Sequence, residues 1–82
     1  MYRILTEDKN REAILSILDA HVSGYTVTPV MGAWKGQREA SLAIDLLGIQ
    51  QFQVEFLAKE IKRKNAQESV LILNLTAQPT YV

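Results

Sequence analysis

The sequence has no cysteine, only one histidine and two prolines among its 82 residues, and its four glycines form no nucleotide-binding fingerprint. Without cysteine there are no disulfides and no thiolate zinc sites, which fits a reducing compartment. With a single histidine, any metal site would have to be assembled from Asp and Glu. Walker-type and Rossmann-type glycine patterns are both absent. Charge of one sign is lacking too: nine Lys and Arg balance nine Asp and Glu, so the basic footprint of a duplex nucleic-acid binder is missing. No apolar run approaches the ~20 residues of a membrane span, and Met1 to Asp8 carry no signal-peptide-like apolar stretch. These absences lead us to expect a soluble cytoplasmic protein with no membrane contact, no duplex nucleic acid and no cofactor.

What is present fits one domain spanning 1–82. A chain this short buries roughly 60 to 65% of its unfolded surface, so self-association is the remaining source of support once disulfides and thiolate metals are excluded. Residues 2–5 are β-prone and lead into Thr6, Glu7 and Asp8, whose oxygens suit a helix start. Ala13, Ile14, Ile17, Leu18 and His21 recur at three- and four-residue spacing and predict a helix over 8–21, stopped by Ser23-Gly24. Residues 25–31 predict a strand in which Pro29 belongs at an edge or a bulge. Gly32 to Glu39 predicts a hairpin loop. Residues 41–47 predict a strand with Leu42, Ile44 and Leu46 on one face, ended by Gly48. Val54, Leu57, Ala58 and Ile61, flanked by Phe52 and Phe56, predict a helix over 50–65. The basic cluster Lys59, Lys62, Arg63 and Lys64 suits that helix's negative end. Residues 69–75 predict a last strand that is apolar on both faces. The order is that of an α+β, ferredoxin-like β-α-β-β-α-β sandwich with an antiparallel sheet. Its helices cover one sheet face, so the second apolar face of the last strand calls for a neighbouring copy. The tail 77–82 reaches a neighbour or frays.

Catalytic constellations are sparse. His21 reads as a residue that packs at a helix end, and Glu7 with Asp8 as capping acids. The sharper feature is Trp34-Lys35-Gly36-Gln37-Arg38-Glu39, which puts a large ring beside two cations, an amide and a glycine. Such a segment suits a nucleotide: the ring stacks on a base, Lys35 and Arg38 meet phosphate, and Gln37 reads polar edges. The competing reading places Trp34 at a subunit contact and leaves the charges to solubilise a hairpin tip. Thr6 and Arg11, after the first strand, and Gln67, before the last, can lie at one end of the sheet and complete a ligand site; Gln67 and Glu68 also suit a plain turn. An enzyme reading would use Glu39, Asp45 or His21 as acid or base in phosphodiester or glycosidic hydrolysis, with Arg38 stabilising charge. A third reading makes the Trp34 segment a protein-binding hot spot acting on a host partner.

The order of elements, together with Tyr2-Arg3-Ile4-Leu5-Thr6-Glu7-Asp8, Gly24-Tyr25-Thr26-Val27, Trp34-Lys35-Gly36-Gln37-Arg38-Glu39 and Gln67-Glu68-Ser69-Val70-Leu71, resembles small members of the PII-like superfamily over about residues 2 to 75. The nearest resemblance is to short proteins of bacteriophages and bacteria. It implies a homotrimer with sheets packed against one another and intersubunit clefts that take adenine nucleotides or other small ligands. The loop between the second and third strands is much shorter than the regulatory loop of signalling PII proteins, and their phosphate motifs are not evident. The absence of cysteine sets the chain apart from the related copper-tolerance-type trimers. In a phage setting the resemblance implies a non-catalytic sponge that sequesters a cyclic nucleotide or ADP-ribose-type defence signal.

Overall fold

The computed structural model describes residues 1–75, the side chain of Trp34 excepted. Six elements follow in order: β1 Tyr2–Glu7, α1 Arg11–His21, β2 Thr26–Trp34, β3 Gln37–Leu46, α2 Gln51–Lys64 and β4 Leu71–Asn74. The four strands form one antiparallel sheet in the order β2-β3-β1-β4, the ferredoxin-like α+β arrangement expected from the sequence. Both helices lie on one side. Ile4 of β1, Leu42, Ile44 and Leu46 of β3, Ile14 and Leu18 of α1, and Val54, Leu57 and Ile61 of α2 are essentially sealed from solvent. Each such side chain contributes on the order of 1.5–3 kcal/mol of burial energy.

Strand alternation puts the next residues on the uncovered sheet face. In register across that face lie Leu71, Leu5, Ala43 and Thr28, and beside them Leu73, Arg3, Asp45 and Thr26. Leu71 is 53% exposed. Ala43 is sealed even here, because its methyl group lies lower than the larger Leu5 and Thr28 that flank it. Arg3 and Asp45 form a two-pronged ion pair, Nε to Oδ1 at 2.7 Å and Nη2 to Oδ2 at 3.1 Å.

Three boundaries differ from the sequence expectation. The predicted hairpin loop at Gly32 to Glu39 is strand almost throughout: only Lys35 and Gly36 form the turn, at φ 49° and 78°. Positive φ at both central residues is the geometry that matches the twist of a two-residue hairpin. The result is a β-ribbon in which every described side chain from Thr28 to Ala40 is exposed. The two-residue turn makes Trp34 and Gln37 a hydrogen-bonded pair, so by alternation Pro29 directs its missing N–H position to the outer edge of β2. Pro29 therefore costs the ladder no bond and occupies the predicted edge. Helix α1 starts at Arg11 and not at residue 8, because the Asp8 N–H still bonds Ala40 O at 3.0 Å, as a strand residue does. Strand β4 starts two residues later than expected, because the turn leaving α2 runs through Gln67.

Candidate ligand cleft

Helix α2 ends in a Schellman turn. The Gln67 N–H bonds Lys62 O at 3.0 Å and the Ala66 N–H bonds Arg63 O at 3.3 Å, with Ala66 left-handed at φ 49°. This turn carries Gln67 back over the end of β1. The Gln67 amide is buried there: its Nε2 donates to Thr6 Oγ1 at 2.8 Å, and its Oε1 accepts from the Thr6 hydroxyl at 3.1 Å and the Glu7 N–H at 3.4 Å. Asn65, also buried, donates from Nδ2 to Lys9 O at 3.1 Å and ties the same end of α2 to the turn before α1.

Thr6 and Gln67 form the floor of a cleft of about 500 Å³. Glu39 and Ser41, at the base of the ribbon, make one wall, and Ala66 to Ser69 make the other. Leu5 and Leu71 open it onto the uncovered sheet face. Its charges are Glu7, Glu39 and Glu68 against Lys9, whose Nζ lies 3.3 Å from Glu7. In a single copy the cleft is therefore acidic. It has two neutral hydrogen-bonding side chains in its floor and an apolar lip.

Of the residues singled out in the sequence, the structure brings Thr6, Gln67 and Glu39 together in this cleft. Lys35 and Gly36 are the ribbon turn, which stands roughly 17 Å beyond Ser41 at ~3.4 Å per strand residue. Arg38 and Glu39 alternate, so Arg38 occupies the ribbon face opposite Glu39 and Gln37. The Trp34 backbone pairs with Gln37, while the stacking role expected of its ring lies outside the described residues. Arg11 stays apart: it is held by Asp8 through Nε at 3.2 Å and Nη2 at 2.6 Å, and this pairing holds the Asp8 carboxyl below the usual carboxylate range. The three groups of the hydrolase reading are dispersed. About 20 Å of strand, six residues at ~3.4 Å each, separates Glu39 from Asp45, and Asp45 is occupied by Arg3. His21 sits at the end of α1 against Phe56. Among the described residues no three His, Cys, Asp or Glu side chains gather closely enough to hold a metal ion. Sequence reading missed Ser41 and Ser69 as cleft residues. Their place follows from the β1–β3 register, Glu7 opposite Ser41, and from the late start of β4, neither of which leaves a local signal. Among the described residues no helix is long and apolar enough to cross a membrane. No protein-family model matches the chain, and no curated protein matches it in sequence.

Proposed function

We propose that the chain is a non-catalytic binding protein that assembles through its uncovered sheet face, as a PII-like trimer, and sequesters a nucleotide-derived small ligand in clefts between copies. The observation that carries this reading is the Thr6–Gln67 cleft, which opens directly onto a leucine-bearing sheet face. Binding groups and an association surface thus adjoin.

Electrostatics require more than one copy. Three carboxylates around one ammonium repel a phosphate, so the anionic part of a nucleotide needs cations that a single cleft does not supply. Lys35 and Arg38 belong to the ribbon, which projects from its own body and is exposed on both faces. A two-stranded ribbon without packing is only marginally stable, so seating it on a neighbour stabilises the ribbon and brings cations to a second cleft. Ser41 and Ser69, on the cleft walls above the buried Thr6–Gln67 pair, then meet base or ribose edges. The ligand is returned unchanged in this reading; of the candidate acids and bases Glu39 borders the cleft, whereas Asp45 is paired with Arg3 and His21 packs on Phe56.

The test is solution mass, followed by equilibrium titration with mononucleotides, cyclic dinucleotides, cyclic trinucleotides and ADP-ribose, with Trp34 fluorescence as the readout. An oligomer that binds saturably, releases intact ligand on denaturation and loses affinity on Arg38→Ala is the expected result. A monomer, or an oligomer that binds none of these probes, overturns the proposal, and a released product replaces sequestration with catalysis.

A further inference from the structure

Strand β4 ends the sheet on one side, and no described strand pairs with its outer edge. The Leu75 N–H bonds Met1 O at 2.9 Å, so by alternation Leu71, Leu73 and Leu75 turn their N–H and C=O groups towards β1. Val70, Ile72 and Asn74 therefore turn theirs outward. At the opposite edge of the sheet Pro29 blunts β2, whereas β4 itself carries neither proline nor charge. Beside the β4 edge lies a hollow of about 300 Å³, where Val70 and Ile72 meet the flank of α2 that carries Glu55, Ala58, Lys59 and Lys62. Glu55 and Lys62 each follow a sealed core residue, Val54 and Ile61, and so stand about 100° round the helix from the core, on the side of the strand edge. Both are exposed, and among the described residues neither belongs to an ion pair.

We propose that a second copy of the chain covers this edge: β4 pairs antiparallel with β4 of the neighbour about a two-fold axis at Ile72, which joins two four-stranded sheets into one. In that register the Ile72 backbones exchange hydrogen bonds with each other, and Asn74 pairs with Val70 of the neighbour. Charge complementarity selects this occupant. A two-fold axis reverses the neighbour's α2, so an axis level with the midpoint between Ala58 and Lys59 sets Glu55 of each copy opposite Lys62 of the other. Ile72 lines the same hollow as Ala58 and Lys59, so one axis serves strands and helices together. Ala58 brings only a methyl group to the contact, and Lys59 lies further round towards solvent, where its ammonium keeps its water. Residues 76–82 carry no charged side chain, so this segment of the chain in the same place would leave Glu55 and Lys62 unmatched.

Sedimentation of the intact chain and its variants over a dilution series tests this. Asn74→Pro removes an outward N–H and leaves the ladder with β1 intact, so it should halve the mass of the assembly. Lys62→Glu and Glu55→Lys each set like charges opposite one another twice, and each should weaken the association about tenfold. The double variant Glu55→Lys/Lys62→Glu should restore it, and the single reversals should matter less at high salt. Circular dichroism of each variant separates lost contact from lost fold. A folded Asn74→Pro chain of native mass overturns the proposal, as do single reversals without effect or a double variant no tighter than the singles. The contact uses the strand edge and not the leucine-bearing face, so Leu71→Glu separates it from the proposed function. Dimers left by Leu71→Glu support the edge contact, and monomers overturn it while leaving the face assembly standing. A mass halved by Asn74→Pro but unmoved by Leu71→Glu supports the edge and overturns the face.

Discussion

With its side-chain amide, Gln67 takes the hydrogen-bonding position that a strand residue would hold beside Glu7. The register of β1 with β4 pairs Leu5 with Leu71, so continuing it would place Ser69 opposite Glu7; β4 begins too late for that, and Gln67 Oε1 receives the Glu7 N–H instead. Gln67→Ala leaves that N–H and the buried Thr6 hydroxyl without their partner. It is expected to lower stability by about 1–3 kcal/mol, measured as a shift in the urea midpoint at unchanged slope. Thr6→Val, which breaks the same pair from the other side, should cost a similar amount. The double variant should cost less than the sum of the two.

Two residues test left-handed backbone with opposite signs. Ala66, at φ 49° in the Schellman turn, holds a Cβ where glycine is usual, and Ala66→Gly should raise stability by about 0.5–1 kcal/mol despite the entropy glycine adds to the unfolded chain. Gly36, at φ 78° in the ribbon turn, has nothing within 4 Å of an added Cβ, so Gly36→Ala bears a backbone penalty alone. Its loss of about 1 kcal/mol should appear as faster amide exchange confined to the ribbon. A global change in protection would show that the ribbon opens only with the whole fold.

The same two positions show where the sequence was and was not legible. Helix and strand identity came through because Ile14, Ile17 and Leu18, and Leu42, Ile44 and Leu46, repeat at the periods of the elements they build. The ribbon was hidden because Gly32, Gly36 and the charged Lys35, Arg38 and Glu39 have the composition of a loop. The decisive cue was spacing, two residues between Trp34 and Gln37, and it competed with that composition. The turn at Ala66 lacked its usual glycine, so nothing local announced that Gln67 would be aimed back at β1. The Thr6–Gln67 pairing spans 61 residues and arises only once α2 and β1 are packed. The uncovered leucines were legible, since Leu71, Leu73 and Leu75 cannot share a face with Val70 and Ile72.

Stability should change at both ends of the pH range, through different residues. Bonding to Arg11 holds the Asp8 carboxyl below the usual carboxylate range, and bonding to Arg63 does the same for Glu60. A lowered folded value means stability that is complete above the ordinary carboxylate range of about 4 and is lost as pH falls through the folded values. The difference between the native chain and Asp8→Asn should therefore be small at pH 7, because the pair is exposed, and should vanish in acid. The Tyr25 hydroxyl, which donates to Asp19, is pushed above the usual phenol range by that bond. Its contribution is complete below about pH 10 and lost above it. Tyr25→Phe should abolish this alkaline component and leave the acid one unchanged.

The Arg3–Asp45 pair gives the proposed association surface a test that leucine substitutions cannot. Both residues lie in register on the uncovered face, beside Leu73, and their side chains retain 37% and 22% of their exposure. In a lone copy the pair is screened by water, and removing it should hardly move the denaturation midpoint. Inside a contact between copies the two charges lose that water, and deleting one strands the other in a medium that cannot solvate it. Arg3→Met is thus expected to weaken association while leaving monomer stability almost intact. Arg3→Met/Asp45→Leu should restore association, because neither charge then remains. Sedimentation of each variant over a dilution series, with Leu71→Glu as the disruptive control, reads this directly. If Leu71→Glu breaks the assembly and Arg3→Met does not, the contact is confined to the β4 side of the face. If neither changes the mass, the sheet face is not where copies meet, and the cleft must find its cations elsewhere.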